Sequence, residues 1–277
     1  MIHSQEATTT MVETFSAAGN DETPAANGGV SAQAYLAALG PIMAKVSEQA
    51  DGPVQQAADL IVTSLRAGGV IQAFGSGHSE ALTMEIAGRA GGLVPSNRIA
   101  LRDVVLVGGE SPDVLNSKHL ERDPSIARRL YDLANVSAAD IFVIASNSGV
   151  NGSIVELAKI VKEHGHQLIV ITSFTQTAGV DSRHPSGTKL VDHADVALDN
   201  GAPYGDAVLP LPGGGTVCAV SSITGALVAQ LIGAEVVRRL TEAGETPPVY
   251  LSANVPGGDE HNSTLEARYA GRIRRTA

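Results

Sequence analysis

The stretch Val70–Gly92, VIQAFGSGHSEALTMEIAGRAGG, restricts the possible folds more than any other part of the chain. Val70–Phe74 is a short apolar run of strand formers, Gly75–Ser79 is a small tight loop, and Glu80–Ala90 reads as a helix stopped at Gly91–Gly92. A strand that runs through glycines into a helix presents outward-facing amides and the positive end of the helix dipole, which together suit an anion. Gly75 and Gly77 remove side chains from the approach, and Ser76 and Ser79 add hydroxyl donors. A dinucleotide is a poorer fit. Glu80 stands where G-x-G-x-x-G has its third glycine, and its carboxylate would face a pyrophosphate.

A second stretch repeats the arrangement. Ile141–Ala145 is a buried-strand candidate that runs directly into Ser146-Asn147-Ser148-Gly149-Val150-Asn151 and then into a helix ending near His164. Small polar side chains and backbone amides converge there, as a phosphate requires, although an ordinary turn with Ser and Asn capping has the same composition. Leu168–Thr172 supplies a third strand, so the order is β-α-β and the sheet is expected to be parallel. Ligands of such sheets lie at the carboxyl ends of the strands. That rule gathers Gly75–Ser79, Gly108–Ser111, Ser146–Asn151 and Ser173 on one rim.

The core composition agrees with a covered parallel sheet. Hydrophobic residues make up 43% of the 277, but aromatics only 3%, with no Trp, so the interior is built from Ala, Val, Ile and Leu. Few aromatics and a net charge of −10 argue against a nucleic-acid surface, with the short Arg272–Arg275 end as the one basic cluster. A single cysteine, Cys218, excludes an internal disulfide framework and fits a reducing cytoplasm. No apolar run reaches membrane-spanning length, and the N-terminus lacks the pattern of a secretory signal.

Residues 1–30 carry no apolar period and read as a disordered tail, with one domain over residues 31–277. Ser31 caps a first helix that Gly40–Pro41 is expected to kink, and Pro53–Ala67 forms a second. Ile99–Val107 is read as an interrupted apolar run and Ser125–Val136 as a helix. Ser173–Lys189 reads as a long polar loop, and Asp195–Leu198 and Ala207–Leu211 as strands. Thr216–Ala243 is read as one long helix, apolar nearly all round and therefore central or at an interface, and a last helix is expected to be capped near Asn262 or Ser263.

These loops and their order resemble the SIS (sugar isomerase) family of phosphosugar isomerases and binding proteins, over about Tyr35 to Ile273. The resemblance implies a flavodoxin-like three-layer α/β/α sandwich with a five-stranded parallel sheet, in a homodimer or homotetramer. It implies that Ser76, Gly77, Ser79, Ser146, Asn147, Ser148, Asn151 and Ser173 bind the sugar phosphate, although Asn151 stands where the family has Thr or Ser. The runs His184–Asp206 and Leu251–Asn262 are similar to stand-alone bacterial members, and the Ala- and Gly-rich character resembles actinobacterial members linked to N-acetylglucosamine 6-phosphate.

Chemistry on an aldose phosphate begins with removal of the proton on carbon 2, which needs a base near the phosphate loops. Glu85 is one candidate, in a run similar to the Glu-Leu-Thr-Gly-Arg of phosphoheptose isomerases; the competing reading is a surface ion pair with Arg89. Glu110 resembles the loop carboxylate of a SIS lyase, the N-acetylmuramic acid 6-phosphate etherase. His78 lies in the first loop, and His261 lies on a C-terminal segment of the kind that closes over such pockets. No Cys/His spacing suggests a metal, and no cofactor is expected. With Glu85 and Glu110 as an acid/base pair, the expected reaction is dehydration of N-acetylglucosamine 6-phosphate. Aldose–ketose isomerisation and non-catalytic sensing are the alternatives.

Overall fold

The computed structural model describes residues 29–117 and 119–274, so most of the expected N-terminal tail and the end of the basic cluster lie outside the described residues. In chain order the elements begin with α1 (Ala32–Ser47), α2 (Pro53–Arg66), β1 (Ile71–Gly75), α3 (Glu80–Ile86), β2 (Ser96–Ile99) and α4 (Asp103–Leu106). There follow α5 (Ser125–Leu133), β3 (Ile141–Ala145), α6 (Gly152–Glu163), β4 (Gln167–Thr172), α7 (Phe174–Ala178) and β5 (Val196–Asp199). The chain then forms β6 (Ala207–Pro210), β7 (Thr216–Ala219), α8 (Ser221–Glu242) and α9 (Gly258–Glu266).

Five strands make one parallel sheet in the order β2-β1-β3-β4-β5. Side chains alternate between its faces with the period of two that a strand imposes. Ile71, Val143, Ile169 and Ile171 meet α2 and α8 on one side, through Val54, Ile61, Val228 and Val236. Phe74, Phe142, Ile144 and Val170 meet α5 and α6 on the other, through Ile126, Leu130, Ile154 and Leu157. The fold is therefore the three-layer sandwich anticipated, with small aliphatic side chains filling both interfaces.

Several boundaries differ from the sequence reading, each for a local reason. The expected helix Thr216–Ala243 is a strand followed by a helix: Gly213, Gly214 and Gly215 all have positive φ and fold β7 back antiparallel on β6, and α8 begins only at Ser221. The second sheet strand begins at Ser96, and Asp103 turns the supposed apolar run into α4 by accepting from the Ala100 amide at 3.0 Å. Helix α3 stops at Ile86, short of the glycine pair. The polar loop after Ser173 opens with α7. Pro41 lies inside α1 without dividing it. Asn262 is no cap; it sits within α9, buried, and its amide pairs both the N–H and the C=O of Leu251 at 2.9 Å.

The amino-terminal edge of the sheet holds a buried polar network. Asp140 accepts from the Val70 amide and from Gln72 Nε2, both at 2.9 Å, and from the Arg272 guanidinium. Beside it, His166 is 3% exposed between the Asp140 carbonyl, 3.0 Å from Nδ1, and the Tyr131 hydroxyl, 2.9 Å from Nε2. A carbonyl only accepts, so Nδ1 carries the proton and Nε2 accepts from the tyrosine, which makes the neutral ring the one that fits.

Burial lowers the His166 pKa below its ordinary value, and burial does the same for His193. Stability from neutral His166 is therefore intact above about pH 6.5, where the unfolded imidazole titrates, and is lost as pH falls through the lower folded value. Urea midpoints measured from about pH 7.5 to about pH 5 should fall on the acid side. His166→Gln should flatten that fall, leaving the part due to His193; an unchanged slope would contradict the assignment.

Candidate functional site

Flavodoxin-like sheets change winding direction between β1 and β3, and ligands sit in the crevice at the carboxyl ends of those two strands. Here Gly75 and Ala145, the last residues of β1 and β3, are paired in register. The loops Ser76–Ser79 and Ser146–Asn151 therefore leave the sheet side by side.

Each loop is tightly constrained. A Cβ on Gly75 would lie 2.5 Å from the Ser79 carbonyl oxygen, so only glycine permits the single turn by which the chain enters α3. Gly149 has φ +66, and its amide donates to Ser146 Oγ at 3.1 Å, folding the second loop on itself. Asn151 precedes α6 but makes no side-chain cap bond; its Oδ1 instead accepts from Arg183 Nη1 at 3.0 Å. The amides of Gly152 and Ser153 that open α6 thus take no side-chain cap from Asn151, an arrangement that suits an anion. Gly152 packs on the Arg122 carbonyl, which a Cβ would meet at 2.1 Å, and Ser153 Oγ donates to the Glu121 carbonyl at 2.7 Å. These contacts hold Glu121 at the rim.

The resulting cleft has a volume of about 620 Å³. Ser76, Gly77, His78 and Ser79 line it from the first loop, and Ser146, Asn147, Ser148 and Asn151 from the second. Further residues on its wall escaped the sequence reading, among them Glu121, Gln176, Asp206, Ser221 and Ser222. Asp206 has φ +68; its Oδ1 accepts from the Ser221 amide at 2.8 Å and its Oδ2 from the Ser221 hydroxyl at 2.6 Å, so it caps α8. Two serines ahead of an apolar stripe were the available signal, and it was hidden when β7 was read as part of the helix.

The structure does not bring the other candidates into this cleft. Ser173 is fully buried; its hydroxyl donates to the Ala202 carbonyl at 2.6 Å and accepts from the Gln176 amide at 3.0 Å, so it caps α7 and faces no ligand. Glu85 is held by Arg89 and by Gln230 Nε2 at 2.5 Å, and lines a separate apolar groove of about 230 Å³ between α3 and α8. Both oxygens of Glu110 accept from Arg129 Nη1 at 2.7 Å. His261, exposed on α9, reaches the Val249 carbonyl at 3.0 Å through Nε2. Among the described residues no group of three His, Cys, Asp or Glu is spaced to hold a metal ion, and no helix is long and apolar enough to cross a membrane.

The segment carrying Arg183 is tied to α6. The Ser186 amide donates to His184 Nδ1, so Nε2 carries the proton toward Glu156, 2.7 Å away. Burial alone would raise the Glu156 pKa, but the hydrogen bonds from Lys159 and His184 outweigh it and the carboxyl ends below its ordinary value. Arg183 is thereby kept beside Asn151.

Residues 34–173 match the SIS domain family. A UPF0309 protein of Listeria monocytogenes is 42% identical over 79% of this chain and 89% of its own length. One of Halalkalibacterium halodurans is 35% identical over 86% of this chain and 94% of its own. Among solved structures, a phosphoheptose isomerase from Francisella tularensis superposes with a TM-score of 0.52 at 17% identity, covering 74% of this chain and 96% of its own, a likeness of fold.

Gly75→Ala should displace the Ser79 carbonyl and open the first loop. A loss of about 1–3 kcal/mol, the usual cost of overpacking, is expected in chemical denaturation, and a variant as stable as the parent would show that the loop relaxes freely.

Proposed function

The chain belongs to the SIS-domain family, and on that premise we propose that its cleft binds a sugar phosphate and enolises the open-chain sugar at carbon 2. The observation that carries this is the pairing of two Ser/Gly loops at the β1/β3 crevice beside the uncapped start of α6. The phosphate accepts from Ser76, Ser79, Ser146 and Ser148 and from the α6 amides. Asn151 contributes its amide nitrogen, since Arg183 occupies its oxygen.

His78 and Glu121 are the acid/base groups proposed within the cleft, one to take the carbon 2 proton and the other to return a proton. On an aldose phosphate with a hydroxyl at carbon 2, return to carbon 1 gives the ketose. That isomerisation is the reading favoured by the phosphoheptose isomerase to which the fold is similar. An N-acetylated carbon 2 closes that route, and loss of the carbon 3 hydroxyl follows, helped by an acid because hydroxide leaves poorly. Two different acid/base groups on one cleft suit this second reading, dehydration of N-acetylglucosamine 6-phosphate. Glu85 enters either scheme if a second copy of the chain covers the apolar groove it lines and forms an enclosed site there. We place the protein in the cytoplasm, where a single free cysteine stays reduced.

The test is mass spectrometry of products from a panel of sugar phosphates, with EDTA present. An unchanged mass with a new sugar means isomerisation, loss of one water means dehydration, and tight binding without reaction means a sensor. His78→Gln and Glu121→Gln should abolish turnover. Retained turnover in both, with loss in Glu85→Gln, would move the chemistry to the groove. Ser148→Ala should weaken sugar-phosphate binding by about 1.5–3 kcal/mol, the range for a hydrogen bond to a charged group; unchanged affinity by calorimetry would remove Ser148 from the site.

Self-association accompanies this reading. Met84 and Ile223 are exposed on α3 and α8, the two helices that wall an already apolar groove. Light scattering at micromolar concentration should give a dimer or tetramer mass, and a monomer mass would contradict it.

A further inference from the structure

The cleft is electrically lopsided. Helix α6 begins open, with Arg183 hydrogen-bonded to its preceding Asn151 at 3.0 Å. Helix α8 also points its amino terminus at the cleft, through Ser221 and Ser222, but that end is already occupied by an anion of the protein's own. Asp206 accepts from the Val220 and Ser221 amides at 3.2 and 2.8 Å and from the Ser221 hydroxyl at 2.6 Å. Its carboxylate cancels the positive end of the α8 dipole and faces the cleft.

No other charge offsets it there. Among the described residues no Lys or Arg lines the cleft, while Glu121 adds a second carboxylate to the wall. Arg102, close to the first loop, is committed to Glu80 at 2.6 Å. A first anionic group therefore finds amides and a nearby guanidinium at the α6 end. A second, toward the α8 end, meets the Asp206 carboxylate, which already takes the Val220 and Ser221 amides of that helix end.

Building on the sugar-phosphate reading, we propose that the site is selective for monophosphates whose far end is neutral, and that Asp206 is the specificity-determining residue that rejects a second anionic group. Hydroxyls at that end donate to Asp206 and exchange hydrogen bonds with Ser222. Sugar bisphosphates and sugars bearing a carboxylate away from the phosphate are excluded.

Calorimetric titration with glucose 6-phosphate and N-acetylglucosamine 6-phosphate, against glucose 1,6-bisphosphate and fructose 1,6-bisphosphate, tests this. At low salt the bisphosphates should bind about tenfold or more weakly than the monophosphates, and the gap should narrow as added salt screens the repulsion. Asp206→Asn should narrow it severalfold at low salt, whereas Ser148→Ala should weaken both ligand classes alike. Bisphosphates that bind as well as monophosphates, or a gap that widens with salt, would overturn the proposal while leaving the sugar-phosphate reading intact. The salt series on the unaltered protein decides the matter even if Asp206→Asn fails to fold. Absence of binding by every sugar phosphate would overturn that reading and this inference together.

Discussion

The parallel register of β1 against β3 is the constraint on which the rest of the molecule depends. It places Gly75 beside Ala145, so two loops that are about seventy residues apart in sequence begin at neighbouring points. Each loop then turns at once into a helix, because the residues after the strands are too small to hold the backbone away. Shifting the pairing by one residue would turn Phe74 and Ile144 toward the wrong helical layer and separate the two loops. The geometry of the rim and the packing of the core are thus one requirement.

Helix starts at the rim are treated unequally. Helix α6 is left without a side-chain cap, and α8 is capped by Asp206 from the start of the hairpin that leads into it. Stability alone would favour capping both. In the proposed selectivity, this unequal treatment leaves one end of the cleft for an anion and sets a carboxylate at the other. The β6–β7 hairpin, which adds nothing to the main sheet, serves to bring Asp206 to α8.

The layer order and the sheet were legible in the sequence because apolar runs of five or six residues, each followed by a small polar loop, suit the strands of a covered parallel sheet and little else. Eight of the proposed ligand and catalytic positions fall on the cleft because they lie in those loops. Glu121 and Asp206 were not legible. Their positions depend on contacts across the fold, the Gly152 backbone against Arg122 for one and the amides of α8 for the other. Glu85 was read from its place on a helix, but a helix has several faces, and Gln230 from α8 decides which one its carboxylate occupies. Strand β7 was missed because Thr216–Ala219 is as apolar as the helix that follows; the three glycines before it carried the turn.

The buried Asp140 has a consequence for the order in which the chain can mature. It lies near the middle of the sequence, yet one of its partners, Arg272, is among the last described residues. During synthesis the sheet's central strands emerge long before that arginine does. For that interval the carboxylate at the base of β1 and β3 relies on amide and hydroxyl donors alone, from Val70, Gln72 and Ser137. The carboxylate under β1 and β3, the strands whose other ends carry the loops of the cleft, thus meets its guanidinium only when a residue 132 positions later in sequence reaches the sheet from the opposite side.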